Sequence, residues 1–139
     1  MRRRSLALLA LLPLLATACG PDDRLTIDEY AAFCAAGIAS AAELIEPENT
    51  TWGDLVQLGE PSIERLRSIS PPEQLATFHR VSLKTLEFVV EEARKHPPEE
   101  LANPLAFGLN AIQIATQLRR AIERIRLDTR QTLTNAGCL

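Results

Sequence analysis

Aromatic residues are scarce in this chain: among 139 residues there are only Tyr30, Phe33, Trp52, Phe78, Phe88 and Phe107. So few rings argue against the stacking platforms that many sugar and single-stranded nucleic-acid binders present. Cys-x-x-Cys-His is missing, which removes covalent haem attachment, and the single methionine is Met1. Glu-x-x-His occurs nowhere, so the ligand pattern of di-iron helical bundles is absent. Ser62, Ser68, Ser70 and Ser82 lie in no Gly-x-Ser-x-Gly elbow, and no glycine-rich phosphate loop is present. Two spaced histidines and three cysteines do not make a zinc cluster. Strand-like alternation, hairpin turns and internal repeats are lacking too. Together these gaps lead us to expect a protein that is not an enzyme and carries no cofactor and no metal. At 46% hydrophobic and 24% charged, the chain fits neither wholesale disorder nor a multi-pass membrane protein.

One apolar run is present, at the N-terminus. Met1-Arg2-Arg3-Arg4 is basic, and Leu6 to Ala18 follows as 13 uncharged residues rich in Leu and Ala. A spanning helix needs about 20 residues, so this run reads as an export signal over residues 1–18. It ends Leu15-Ala16-Thr17-Ala18-Cys19-Gly20, which resembles the lipobox of bacterial lipoproteins, with Ala16 where that family most often has Leu. The resemblance implies a diacylglycerol thioether on Cys19, usually a further acyl chain on its amine, and an extracytoplasmic location on a cell membrane or envelope. Ala16-Thr17-Ala18 also satisfies the rule for ordinary secretory cleavage. Cysteine parity separates the two: with Cys19 lipidated, Cys34 and Cys138 remain to pair as a disulfide, whereas secretory cleavage leaves an odd thiol.

Loss of the leader takes three of the 15 basic residues, leaving 12 against 18 acids, a net charge of −6. An acidic domain has no general attraction for nucleic acid or anionic lipid, so the membrane is held through the lipid alone. Residues 19–25 form a lipidated tether whose six steps reach at most about 20 Å, which keeps the domain near the bilayer.

Residues 26–139 read as helices. Thr26 and Glu29 form a capping box, and Ile27, Tyr30, Cys34, Ile38, Ala41 and Ile45 recur at steps of three and four up to Pro47. A second stretch opens near Thr51 with Trp52, Leu55, Val56, Gly59, Ile63 and Leu66 inward; Pro61 kinks or splits it. Ser70-Pro71-Pro72-Glu73 supplies a capping serine and an N-terminal proline for a third helix, with Leu75, Phe78, Ser82, Leu86, Val89 and Ala93 inward, ending by Pro97-Pro98. The fourth opens at Asn103-Pro104 and keeps one alternation, Ala111, Ile114, Leu118, Ile122, Ile125, Thr129, Thr132, unbroken to Gly137. Four stripes and short Pro-marked turns predict an all-α, antiparallel up-down-up-down four-helix bundle. In that topology the chain end returns to the first helix and brings Cys138 to Cys34.

Other residues carry a bland and a functional reading. His79 beside the core stripe is a packed residue before it is a ligand or proton carrier, and His96, four after Glu92, is a cation near a helix C-terminus before it is half a metal site. Arg119, Glu123, Arg126 and Arg130 lie at ladder spacing, as do Arg124 and Asp128, which favours ion pairs within the domain over an acidic partner. Trp52 reads as core. The expected function is a non-catalytic interaction module that docks on an envelope protein, because the stripes carry enough bulk to fill an interior. The alternative is a carrier for an apolar small molecule, with room between helices at Pro61, Gly59, Gly108 and Ala111.

Overall fold

A computed structural model describes residues 23–43 and 48–139. The leader, Cys19 and Ile45 lie outside the described residues. What is described is all-helical: α1 (Ile27–Ala42), α2 (Trp52–Arg67), α3 (Ala76–Ala93), α4 (Gly108–Glu123) and α5 (Leu127–Asn135), with short 3-10 turns at Glu73–Leu75 and Pro104–Phe107.

Two helices start on reciprocal caps. The Thr26 hydroxyl oxygen accepts the Glu29 N–H at 3.3 Å, and the Glu29 carboxylate accepts the Thr26 N–H at 2.8 Å. Thr51 and Asp54 repeat the arrangement at α2, with the carboxylate accepting the Thr51 N–H at 2.8 Å. Each box satisfies two backbone donors that have no partner inside the helix. The loop after α3 serves other α2 donors: the N–H groups of Trp52 and Gly53 donate to the carbonyls of Glu100 and Pro98 at 3.0 and 2.9 Å.

Three expectations need correction. First, α2 is not split: it runs through Pro61 as one helix of 16 residues. Its packing on α3 lies on both sides of the proline and holds it together. Gly59 sits against Val90, and the ion pairs Glu60–Arg94 and Arg67–Glu87, the latter at 2.6 Å, show the two helices antiparallel. Second, Ser70 caps no helix. Its carbonyl accepts the Leu25 N–H at 2.9 Å, and the chain reaches α3 through the turn at Glu73–Leu75. Third, the fourth predicted helix is two. Arg126 is extended (φ −55°, ψ 148°) between α4 and α5, so five helices stand where four were expected. Ile125 and Thr129 of the expected stripe are buried on either side of the break, but beyond it Leu133 is buried in place of Thr132, and α5 packs on α1. Periodicity cannot register such a bend, because the inward residues fall at the same spacing on either side.

The break also shortens the ion ladder. Arg119 and Glu123 remain at 3.8 Å, while Asp128 pairs at 2.9 Å with Arg126, two residues away across the bend, and not with Arg124.

The core joins Tyr30 and Ala31 of α1 to Leu75, Phe78, Ala121, Ile125 and Leu133. A second buried group, Trp52, Ile63, Val90 and Ala93, lies between α2 and α3. No described helix is long and apolar enough to cross a membrane.

Candidate functional site

Only the first turns of α1 are buried. Beyond Ala31 its apolar stripe faces open space: Phe33, Cys34, Gly37, Ile38 and Ala41 form one wall of a groove of about 490 Å³. Leu66 of α2 with Phe78, Ser82 and Leu86 of α3 make the floor, and Leu118 and Ile122 of α4 close the far side. Cys138 and Leu139 stand at one end. The volume falls within the range of small-molecule sites, roughly 300–1,000 Å³. Of the stripe expected on α1, Tyr30 is buried, Cys34, Ile38 and Ala41 line the groove with Ile38 47% exposed, and Ala31, outside the stripe, is buried. What the periodicity did not contain is that beyond Ala31 the helix is only half-buried and borders a groove.

Gly37 helps keep the groove open, since a Cβ built there touches nothing within 4 Å. The room expected at Gly59 is taken: a Cβ there meets Val90 Cγ2 at 2.2 Å. Gly108, at φ 57°, turns the chain into α4.

Arg65 is the one charged side chain lining the groove among the described residues. Its guanidinium carbon lies 5.3 Å from the centre of the Phe33 ring, a cation–π distance. No described carboxylate forms an ion pair with it, in contrast to Arg67 one residue beyond its neighbour Leu66. Neither Arg65 nor Phe33 was singled out from sequence. Phe33 lies beside the stripe, and the available signal was an arginine three residues after Ser62 and next to Leu66, on the inward side of α2.

Below the groove, Tyr30 and His79 tie α1 to α3. The Tyr30 hydroxyl lies 3.2 Å from His79 Nδ1, with the two rings edge-on at 5.8 Å. Burial pulls the His79 pKa below its ordinary value, opposed by a hydrogen bond to the Leu66 backbone. The Tyr30 hydroxyl is pushed upward by burial and by the neighbouring sulfurs of Cys34 and Cys138. His79 is thus a buried connector of three helices.

Cys34 and Cys138 are brought together. Gly137 (φ 77°) ends α5 with two capping bonds: its own N–H donates to Thr134 O at 2.9 Å, and the Cys138 N–H donates to Leu133 O at 2.9 Å. That pair of bonds is the Schellman pattern, which needs a residue with positive φ. It turns Cys138 back onto α1, where its thiol donates to Ala31 O at 3.4 Å and lies within hydrogen-bonding reach of Cys34. Both are half-buried free thiols, so the expected bridge is not formed in this structure. A disulfide needs an oxidant as well as proximity, and the fold supplies the proximity. Burial first, then the adjacent Cys138 sulfur, pushes the Cys34 thiol up to about 12. A thiol held protonated at neutral pH is a poor nucleophile.

His96 stacks on Trp52, centroids 4.2 Å apart and planes at 14°, with Phe107 and then Phe88 adjoining. Its Nε2 is 3.8 Å from a Glu92 carboxylate that also holds Lys95 at 2.7 Å. Trp52 is buried core. A separate outer face carries Leu105, Leu109 and Ile112, which are 85%, 83% and 64% exposed.

No family model, curated protein or solved structure matches this chain. The functional reading therefore rests on the groove and its residues.

Proposed function

We propose that this chain is an extracytoplasmic, lipid-anchored binding protein that holds an apolar small molecule in the groove beneath α1. The observation that supports it is the roughly 490 Å³ of open apolar space bounded by four helices, with α1 laid across it. A stripe of Phe33, Ile38 and Ala41 left facing solvent costs about 25 cal/mol for each Å² of apolar surface that stays wet. A ligand with an apolar body removes that cost on binding. The address comes from the basic leader and Cys19, whose acyl chains hold the domain at the membrane. In this reading α4 and α5 together serve as the bent fourth leg of an up-down-up-down bundle. Cys34 and Cys138 close to a disulfide outside the cytoplasm, fastening the C-terminal tail to α1 at one end of the groove.

Purification of the native protein from membranes, followed by mass spectrometry of what accompanies it, is expected to yield a small molecule in stoichiometric amount. Gly37→Leu places a side chain in the open space of the groove, and this variant is expected to fold and to lose that molecule. A partner protein in its place would favour the second reading, a non-catalytic module that docks on an envelope protein. The observation behind that second reading is the exposure of three large apolar side chains around the start of α4, Leu105, Leu109 and Ile112.

A further inference from the structure

We propose that the occupant of the groove is a single-chain amphiphile with an anionic head, a long-chain fatty carboxylate, whose head group is read by Arg65. This inference rests on the groove being a ligand site and adds the class of ligand.

Three features select it. The walls given by Phe33, Ile38, Leu86, Leu118 and Ile122 offer no hydrogen bond, so the body of the ligand must be apolar. Of the lining hydroxyls, Ser62 donates to Leu58 O at 2.7 Å and Tyr30 lies 3.2 Å from His79 Nδ1, while Ser82 on the floor is a neutral group that can give a single hydrogen bond. Recognition of a charged head falls to Arg65, the one charged side chain among the described lining residues. Its guanidinium carbon lies over the Phe33 ring, 5.3 Å from the centroid. Arg65 is exposed and lines the groove, and an arginine characteristically lays its stem along apolar surface while its charge stays in water. A planar fork with no described carboxylate partner, standing at the mouth of an apolar slot, matches the two oxygens of a carboxylate. An arginine that no described carboxylate pairs with, at such a mouth, favours an anion over a cation. The size of the groove suits one alkyl chain better than the two tails of a phospholipid.

The test uses the full-length Cys19→Ser chain, which carries no acyl group of its own and needs no detergent that would compete for the groove. A neutral apolar dye, N-phenylnaphthylamine, is bound and then displaced by hexadecanoate or by hexadecanol. These share a tail and differ in head charge. Hexadecanoate is expected to displace the dye at about tenfold lower concentration than the alcohol. Arg65→Gln is expected to weaken hexadecanoate about tenfold, the scale of losing one charged hydrogen-bonding partner, while leaving the alcohol and the dye unchanged. Arg65→Lys is expected to recover part of the difference, and added salt to reduce it. If Arg65→Gln binds hexadecanoate as the parent does while dye and alcohol still bind, the head-group assignment is overturned and the ligand groove stands. If neither the dye nor either alkyl compound binds the parent chain, the groove itself is not a ligand site. Gly37→Leu is expected to abolish all three. Unchanged far-ultraviolet dichroism and melting temperature show that the variants remain folded.

Discussion

His79 shows how much one buried side chain can carry. It is held neutral between Tyr30 and the Leu66 backbone, and its pKa lies below the ordinary value of 6.5 because burial penalises the imidazolium. The unfolded chain therefore takes up a proton more readily than the folded one as pH falls through 6.5, so stability is lost in that direction. The carboxylates of Glu29, Asp54 and Asp128 have pKa values lowered first by hydrogen bonds from the backbone N–H groups of Thr26, Thr51 and Thr129, and act only at more acid pH. Melting temperature is expected to fall between pH 7.5 and 5.5, and His79→Gln should flatten that dependence; an identical slope in the variant would exclude this role. Gly59 is the complementary case, where the lack of a side chain matters. Val90 is β-branched and stiff, and its Cγ2 would lie 2.2 Å from a new methyl. Gly59→Ala is expected to destabilise by about 1–3 kcal/mol, the usual cost of overpacking, read as a drop of several degrees in the melting temperature. In an exposed helix the same change would stabilise slightly.

At the level of elements, the starts of α1 and α2 were legible, while α4 begins at Gly108, after the 3-10 turn that Asn103-Pro104 opens, and one helix end was decisive. Thr26 with Glu29 is a local motif that needs four residues to be recognised, and it forms as read. Ser70 looked equally strong, but its carbonyl was taken by the Leu25 N–H, a partner 45 positions away that no local pattern contains. Gly137 was recognisable as a stop, and its positive φ builds the turn that delivers Cys138 to Ala31 and Cys34. Any other residue in that conformation is strained by about 1–2 kcal/mol. Gly137→Ala is expected to lower stability by roughly that amount and to slow closure of Cys34 onto Cys138. Mild oxidant should bridge the two in the parent chain, seen as a mobility change reversed by reductant and as loss of both free thiols. In the chain-entropy model a loop of this length stabilises by up to about 4–5 kcal/mol. Thiols that stay fully reactive under oxidant would rule the bridge out.

For the whole molecule, the question is where a compact helical domain is held and what it carries. Cys19→Ser is expected to move the protein from the membrane fraction to the soluble one; a variant that stays with the membrane would remove the lipid anchor from the reading. The lipobox-like run, the count of three cysteines and the excess of acids over bases all come from order and composition along the chain, and folding does not alter them. Helical class was likewise readable, and so were inward residues such as Tyr30, Ile63, Phe78 and Ile125, because a 3.6-residue period and an end cap are properties of neighbouring residues. Tertiary structure decided the rest. The bend at Arg126 has no glycine or proline to mark it, and it arises because Ile125, Thr129 and Leu133 bury themselves by turning toward α1. The groove was equally hidden: whether Phe33, Gly37 and Ile38 meet a facing stripe or open space depends on how far α1 stands from α3 and α4. That separation is fixed by contacts between residues distant in the chain, which a period read along one helix does not contain.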